Sequence, residues 1–153
     1  MQICVKYIIA EEDLLKAFSI RHRVFVIEQH VPEHEEYDEF ERSSRHFLAL
    51  ADGIPCGTAR WRFTQQGIKM ERFAVLPEFR GKKIGSALVA AVLEDINQHP
   101  ESKGKLRYLH AQVAAMPLYA KFGFQPEGEI FPECNILHYK MVLAPPQSQG
   151  EKQ

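Results

Sequence analysis

Apolar side chains along this chain change their period several times, and each change marks an element. From Gln2 to Ile9 they alternate, the two-residue repeat of a half-buried strand. From Asp13 to Val26 the spacing lengthens and predicts a helix with Leu14, Leu15, Phe18 and Val24 turned inward. Between Glu28 and Ser44 the pattern dissolves into polar loop or short helical turns. Strands return over Arg45 to Ala51 and Cys56 to Thr64, joined by a turn at Asp52-Gly53. A second turn at Gln66-Gly67 leads into Ile68 to Leu76, completing three antiparallel strands. There follow a basic glycine loop and a long helix with Ile84, Leu88, Val92 and Ile96 on one face. A strand from Leu106 to Val113, a short helix and a last strand near Leu137 to Leu143 close the α/β order. From Ala144 the polar PPQSQGEKQ reads as a mobile tail. With no repeat or linker, residues 1–143 are expected to form a single domain and 144–153 its tail.

Composition narrows the class of protein. A chain of 153 residues with 45% hydrophobic content is one domain's worth of core. Its 19 basic and 20 acidic side chains leave a net charge of −1, which points away from a nucleic-acid surface. No apolar run approaches the roughly 20 residues of a membrane span. The opening MQICVKYIIAEED does not read as a secretion signal. Three scattered cysteines, Cys4, Cys56 and Cys134, suit a reducing cytoplasm better than a disulfide scaffold. His30 and His34 are separated by Pro32 and no third ligand lies at a useful spacing, so no metal site is expected.

The densest chemistry lies in FAVLPEFRGKKIGSALVAAVLEDI, Phe73 to Ile96. A short buried strand stops at Pro77, passes through Arg80-Gly81-Lys82-Lys83-Ile84-Gly85, and becomes the long helix. Free amides at such a helix start bind phosphates, and adjoining lysines add cations. A surface turn that merely caps the helix is the alternative. The loop is neither G-x-x-x-x-G-K-[ST] nor G-x-G-x-x-G, which removes the common mononucleotide and dinucleotide motifs. Downstream, His110-Ala111-Gln112-Val113 ends a strand and runs into Leu118-Tyr119-Ala120-Lys121-Phe122-Gly123-Phe124, a short helix stopped by glycine.

These two segments resemble the R-x-x-G-x-G loop and L-Y-x-K-x-G-F motif of the GNAT superfamily, the coenzyme A-dependent N-acetyltransferases. Lys83 departs from the loop pattern, in which that place is usually glycine. Two further blocks are similar to the small bacterial ElaA-type branch: Arg21 to Pro32, RHRVFVIEQHVP, and Phe131 to Met141, FPECNILHYKM. The resemblance covers the chain from Lys6 to Leu143. It implies an α/β (α+β) GNAT-type fold, with a mixed, mostly antiparallel central sheet of about six to seven strands flanked by helices. It implies acetyl-CoA as co-substrate, with the pyrophosphate on Arg80, Gly81, Lys82, Lys83, Ile84, Gly85 and Ser86. The pantetheine arm is expected beside Phe73, Ala74 and Val75, with Gln112 where the family often has asparagine and Tyr119 near the sulfur.

Acetyl transfer to an amine needs a neutral amine, a donor for the carbonyl oxygen and a proton for the departing thiolate. The acceptor ammonium has a pKa of about 10.4, so a base or a desolvating pocket is required. The resemblance proposes Glu71 as that base. Alternation puts Glu71, Phe73 and Val75 on one side of the strand, and apolar neighbours there would raise the carboxyl. The alternative is a rim carboxylate pairing with Arg72 or Lys69. Tyr119 is the expected acid, its phenol at about 10 matched to a thiol at about 8.5; alternatively its ring anchors the core. Glu28 and His138 are the candidates on the acceptor side. The run Glu33, Glu35, Glu36, Asp38, Glu39 and Glu41 either draws a cationic amine to the cleft or is a solvated loop.

The expected function is therefore acetyl-CoA-dependent N-acetyl transfer to a small-molecule primary amine by direct attack on the thioester, in the cytoplasm, without metal, nucleic acid or membrane. A coenzyme A-binding module without turnover and a protein- or peptide-directed N-acetyltransferase remain open beside it. So does a homodimer formed by pairing two sheets.

Overall fold

In the computed structural model, which describes residues 1–147, the chain runs as follows. Strand β1 is Ile3–Tyr7, helix α1 Glu11–Arg21 with a π-helical extension His22–Glu28, and α2 Glu33–Glu36. Strands β2 (Arg45–Ala51), β3 (Ile54–Thr64) and β4 (Gly67–Val75) precede α3 (Ile84–Gln98). Then come β5 (Arg107–Gln112), α4 (Met116–Ala120), β6 (Gln125–Glu133) and β7 (Ile136–Leu143). The seven strands form one sheet in the order β1-β2-β3-β4-β5-β7-β6, antiparallel at every junction except β4–β5.

Local chemistry accounts for most of these elements. Asp52 and Gly53 take φ of 49° and 81°, the positive pair that a tight hairpin needs between β2 and β3. On one face α3 buries Ile84, Leu88, Val89, Val92 and Ile96 against Trp61, Met70, Leu109 and Met141. At roughly 2 kcal/mol per side chain, that face contributes on the order of 10 kcal/mol. Trp61, fully buried, donates its indole N–H to Asp95 at 2.9 Å. On the other face Ala17, Ile20 and Val24 of the first helix cover Leu48, Ala74 and Leu76.

Two expectations are corrected first. Leu15 points to solvent instead of inward, because α1 buries Asp13, Ala17, Ile20 and Arg21 and the π-helical turns re-phase the chain before Val24. β6 was not anticipated, since QPEGEIFPE carries two prolines and a glycine and is exposed along most of its length. The expected tail has no regular structure over 144–147, and from 148 onward it lies outside the described residues.

The third correction matters most for the site. Along β3–β4 the register steps from Thr58↔Ala74 to Arg60↔Glu71, so β4 carries one extra residue. Arg72 sits in this bulge with φ of 59°. Strand alternation is therefore broken between Glu71 and Phe73. Phe73 and Val75 pack toward the α3 side, whereas Glu71 shares the opposite face with Arg60 and Arg62.

Candidate active site

Parallel strands β4 and β5 are paired only at Ile68↔Arg107 and Lys69↔Tyr108. Beyond that point they diverge, the bulge bending β4 away. The opening leads into a cavity of about 330 Å³ lined by Glu71, Phe73 and Val75 on the β4 side and by His110 and Gln112 on the β5 side. Tyr119, Glu133 and His138 complete its walls.

The start of α3 forms one rim. Backbone N–H groups of residues 81–86 have no acceptor among the described residues. Gly81 has φ of 76° with open space where a Cβ would stand. Lys83, the residue preceding α3, holds φ of 68°, a left-handed conformation that costs a non-glycine residue about 1–2 kcal/mol. Exposed Lys82 and Lys83 flank these amides, and Lys121 of the downstream motif bonds Ser86 Oγ at 3.1 Å. Amides, a hydroxyl and ammonium groups are a donor set suited to a diphosphate. Arg80 lies at this rim but is engaged: its guanidinium grips Glu28 at 2.6 and 2.7 Å and its Nε donates to the Val75 carbonyl.

That pairing also corrects Glu28. The Arg80 hydrogen bond holds its carboxyl below the usual range, and Glu28 does not line the cavity in which an acceptor would sit. His138 does line it, buried, with Nδ1 2.7 Å from the Ile136 carbonyl and its ring stacked on Phe131. Gln112 faces the cavity with its amide donating to Gln29 at 2.9 Å.

Glu71 is no carboxyl among apolar neighbours; it pairs with Lys69, as the alternative held, but not with Arg72, and it is buried instead of lying at a rim. Its carboxylate is bound by Arg60 and Arg62, each at 2.7 Å, and by Lys69 at 3.5 Å, while Arg72 turns to Glu36 and Asp38. Burial opposes its charge, yet these cations, Arg60 foremost, hold the carboxyl below its ordinary value instead of raising it. The acidic run 33–41 is likewise not a plain solvated loop. Buried Glu36 and half-buried Asp38 and Glu41 interlock with Arg21, Arg60 and Arg72.

Tyr119 is buried, its ring edge-to-face with Phe73 and Phe124. Its hydroxyl has no hydrogen-bond partner among the described residues. Burial pushes the phenol well above its ordinary value, so it departs from a thiol and stays protonated. Gly123, at φ of 95°, stops the short helix, and its N–H bonds Ala120 while that of Phe124 returns to Tyr119.

Sequence reasoning missed Arg60 and Arg62, although two arginines alternating through an apolar strand were a visible sign. It missed the 3.1 Å contact between His110 Nδ1 and Glu133 as well. His110 stands two residues from Gln112 and therefore on the same face, but its partner lies on the unanticipated β6.

Comparison with known proteins agrees with this geometry. Residues 9–145 match the family model described as an acetyltransferase (GNAT) domain. The chain is 37% identical over 133 residues to the uncharacterised N-acetyltransferase YjcF of Bacillus subtilis, covering 86% of this chain and 93% of YjcF. The crystal structure of Escherichia coli ElaA superposes with a TM-score of 0.77 at 25% identity, over 92% of this chain and 99% of that one. A Bacillus subtilis acetyltransferase solved with CoA shares the fold at 16% identity, with a TM-score of 0.69 over 94% of this chain and 99% of its own. A divergent parallel strand pair, an amide-rich helix start at its mouth and a match across nearly the whole chain lead to one assignment: the protein belongs to the GNAT acetyltransferase family.

Proposed function

We propose that this chain, as one catalytic domain over residues 1–143, transfers an acetyl group from acetyl-CoA to the primary amine of a small molecule by direct attack. The observation that carries this reading is the divergence of β4 from β5, which leaves free helix-start amides at one mouth and a cavity of about 330 Å³ beyond it. The CoA-bound relative of the same fold supports the choice of co-substrate. When bound, acetyl-CoA supplies an activated acetyl group and a thiolate leaving group.

The chain's own residues divide the remaining work. Amides from Gly81 to Ser86, with Lys82 and Lys83, hold the diphosphate. The edge of β4 over Phe73 to Val75 flanks the pantetheine arm, and Gln112 faces it from β5. Tyr119, kept protonated by burial, offers its hydroxyl to the sulfur as charge develops there. Glu71 stays ionised on the cavity wall, its charge matched by Arg60, Arg62 and Lys69. His138 shapes the acceptor end.

Thiol release from acetyl-CoA across amines, amino acids, polyamines, aminoglycosides and peptides tests the reading, alongside calorimetry with CoA. Binding of CoA with thiol release for at least one small amine is expected. Binding should be lost in the double variant Gly81→Val/Gly85→Leu. The first substitution strains a φ of 76° and the second drives a side chain toward Leu118, 3.3 Å from a Cβ at that site. CoA affinity unchanged in that variant would refute the loop, and CoA binding without turnover of any acceptor would refute the enzyme.

A further inference from the structure

Of the titratable groups that line the cavity and that the reading above leaves unused, His110 is the best placed. We propose that His110 is the base that takes the acceptor's proton and that Glu133 is the residue that positions it; this rests on the acetyl-transfer reading. Nδ1 of His110 lies 3.1 Å from Glu133 Oε2. An ionised carboxylate only accepts, so Nδ1 carries the hydrogen, and in the neutral form of the ring the lone pair is on Nε2. Nε2 has no hydrogen-bond partner among the described residues, and His110 lines the cavity. The ring is held edge-on by Phe131 at 5.1 Å and leans on Tyr108 at 6.1 Å, so its orientation is set before an acceptor arrives. Carboxylate, imidazole and an open Nε2 form the arrangement by which a histidine removes a proton from a nucleophile.

Charged groups around it agree with that role. Glu133 on β6 is held below the usual carboxylate range, chiefly by its hydrogen bond to His110. On β4, Lys69 and Glu71 face the same cavity and pair with each other at 3.5 Å. On β7, Lys140 stands opposite His110 in register but extends to Glu127 and the Tyr108 ring, and His138 lies beyond Phe131. Glu71 is the poorer base, because three cations hold its proton affinity down. His138 is turned by Nδ1 to the Ile136 carbonyl and stacks on Phe131, so no carboxylate orients its ring.

The proton balance closes. An ammonium acceptor loses one proton to His110 Nε2, which passes it to solvent. The freed nitrogen lone pair forms the C–N bond to the acetyl carbon, and the C–S bond breaks with its electron pair on sulfur. The second proton leaving nitrogen ends on that sulfur, giving the amide and the free thiol.

The test uses the full chain. For His110→Gln, and independently His110→Asn, kcat should fall about a hundredfold or more. CoA affinity by calorimetry should stay within about twofold of wild type, which also reports correct folding. The acidic limb of the kcat/KM profile should vanish in these variants and persist in Glu71→Gln and His138→Asn. Without any ligand, long-range 1H–15N correlation should show the Nδ1–H tautomer of His110 in wild type. Glu133→Gln should lose that preference and Glu133→Asp should keep it. An acidic limb surviving in the His110 variants, or abolished by His138→Asn, overturns the assignment while leaving acetyl transfer standing. A wild-type protein that turns over no acceptor brings both down, whatever the tautomer.

Discussion

Arg60 offers the most quantitative test of how this site is built. Its guanidinium is fully buried and contacts Asp38 at 2.6 Å, Glu41 at 2.8 Å and Glu71 at 2.7 Å. Arg60→Met keeps much of the volume and removes the cation, stranding three carboxylates. Breaking a buried ion cluster from one side costs about 3–5 kcal/mol. Each acid keeps a second arginine, Arg72 for Asp38, Arg21 for Glu41 and Arg62 for Glu71, which sets the expected loss near 3 kcal/mol at pH 7. Linkage supplies a second reading. Burial works against the Asp38 carboxylate, but Arg60 outweighs it and brings the pKa from an ordinary 3.8 to about 2. That displacement is worth about 2 kcal/mol before solvent screening of a partly exposed group. Glu41 and Glu71 are also held low, by their arginines against burial. A depressed carboxyl stabilises the fold above its unfolded pKa and loses that stability as pH falls through the folded value. Wild type should therefore weaken from about pH 4.5 down to about pH 2, and the deficit of Arg60→Met should shrink over the same interval. Urea denaturation at pH 7, 5, 4 and 3 measures both. A loss under 1 kcal/mol at pH 7, or a deficit that grows on acidification, would refute the reasoning.

Two further outcomes follow from single residues. Lys83→Gly relieves the left-handed strain at the start of α3, and a gain of about 1 kcal/mol should appear as a Tm about 2–4 °C higher in a thermal scan, so a lower Tm would contradict it. Tyr119→Phe should lower kcat by about two orders of magnitude with CoA affinity retained; because burial keeps the phenol protonated, the basic limb of the pH–rate profile should not move, and a rate within twofold of wild type would retire the residue as a donor.

What the sequence revealed and what it hid separate along a physical line. Signals carried by neighbouring residues survived folding. The Asp52-Gly53 hairpin, the α3 stripe from Ile84 to Ile96 and the glycine stop at Gly123 were all legible, because turn chemistry and periodicity are local. Glu71 was legible as a cavity residue but not in its orientation or its charge. Its orientation depends on an extra residue at Arg72, which no period reveals, and its charge on Arg60 and on acids brought from more than twenty residues away. His110 was hidden for the same reason, since its partner Glu133 lies on a strand whose prolines and exposure disguise it. Local rules failed where β4 bulges, where α1 loosens into a π-helix and where Lys83 adopts a positive φ. Each of these departures borders the opening between β4 and β5 or the helix start at its mouth. A regular β4 would have kept Glu71, Phe73 and Val75 on one face and its edge paired along β5. The bulge separates them, so that Phe73 and Val75 line the cavity from the α3 side and Glu71 from the charged face of the sheet, and the irregularity that defeats the sequence reading is what makes room for a substrate.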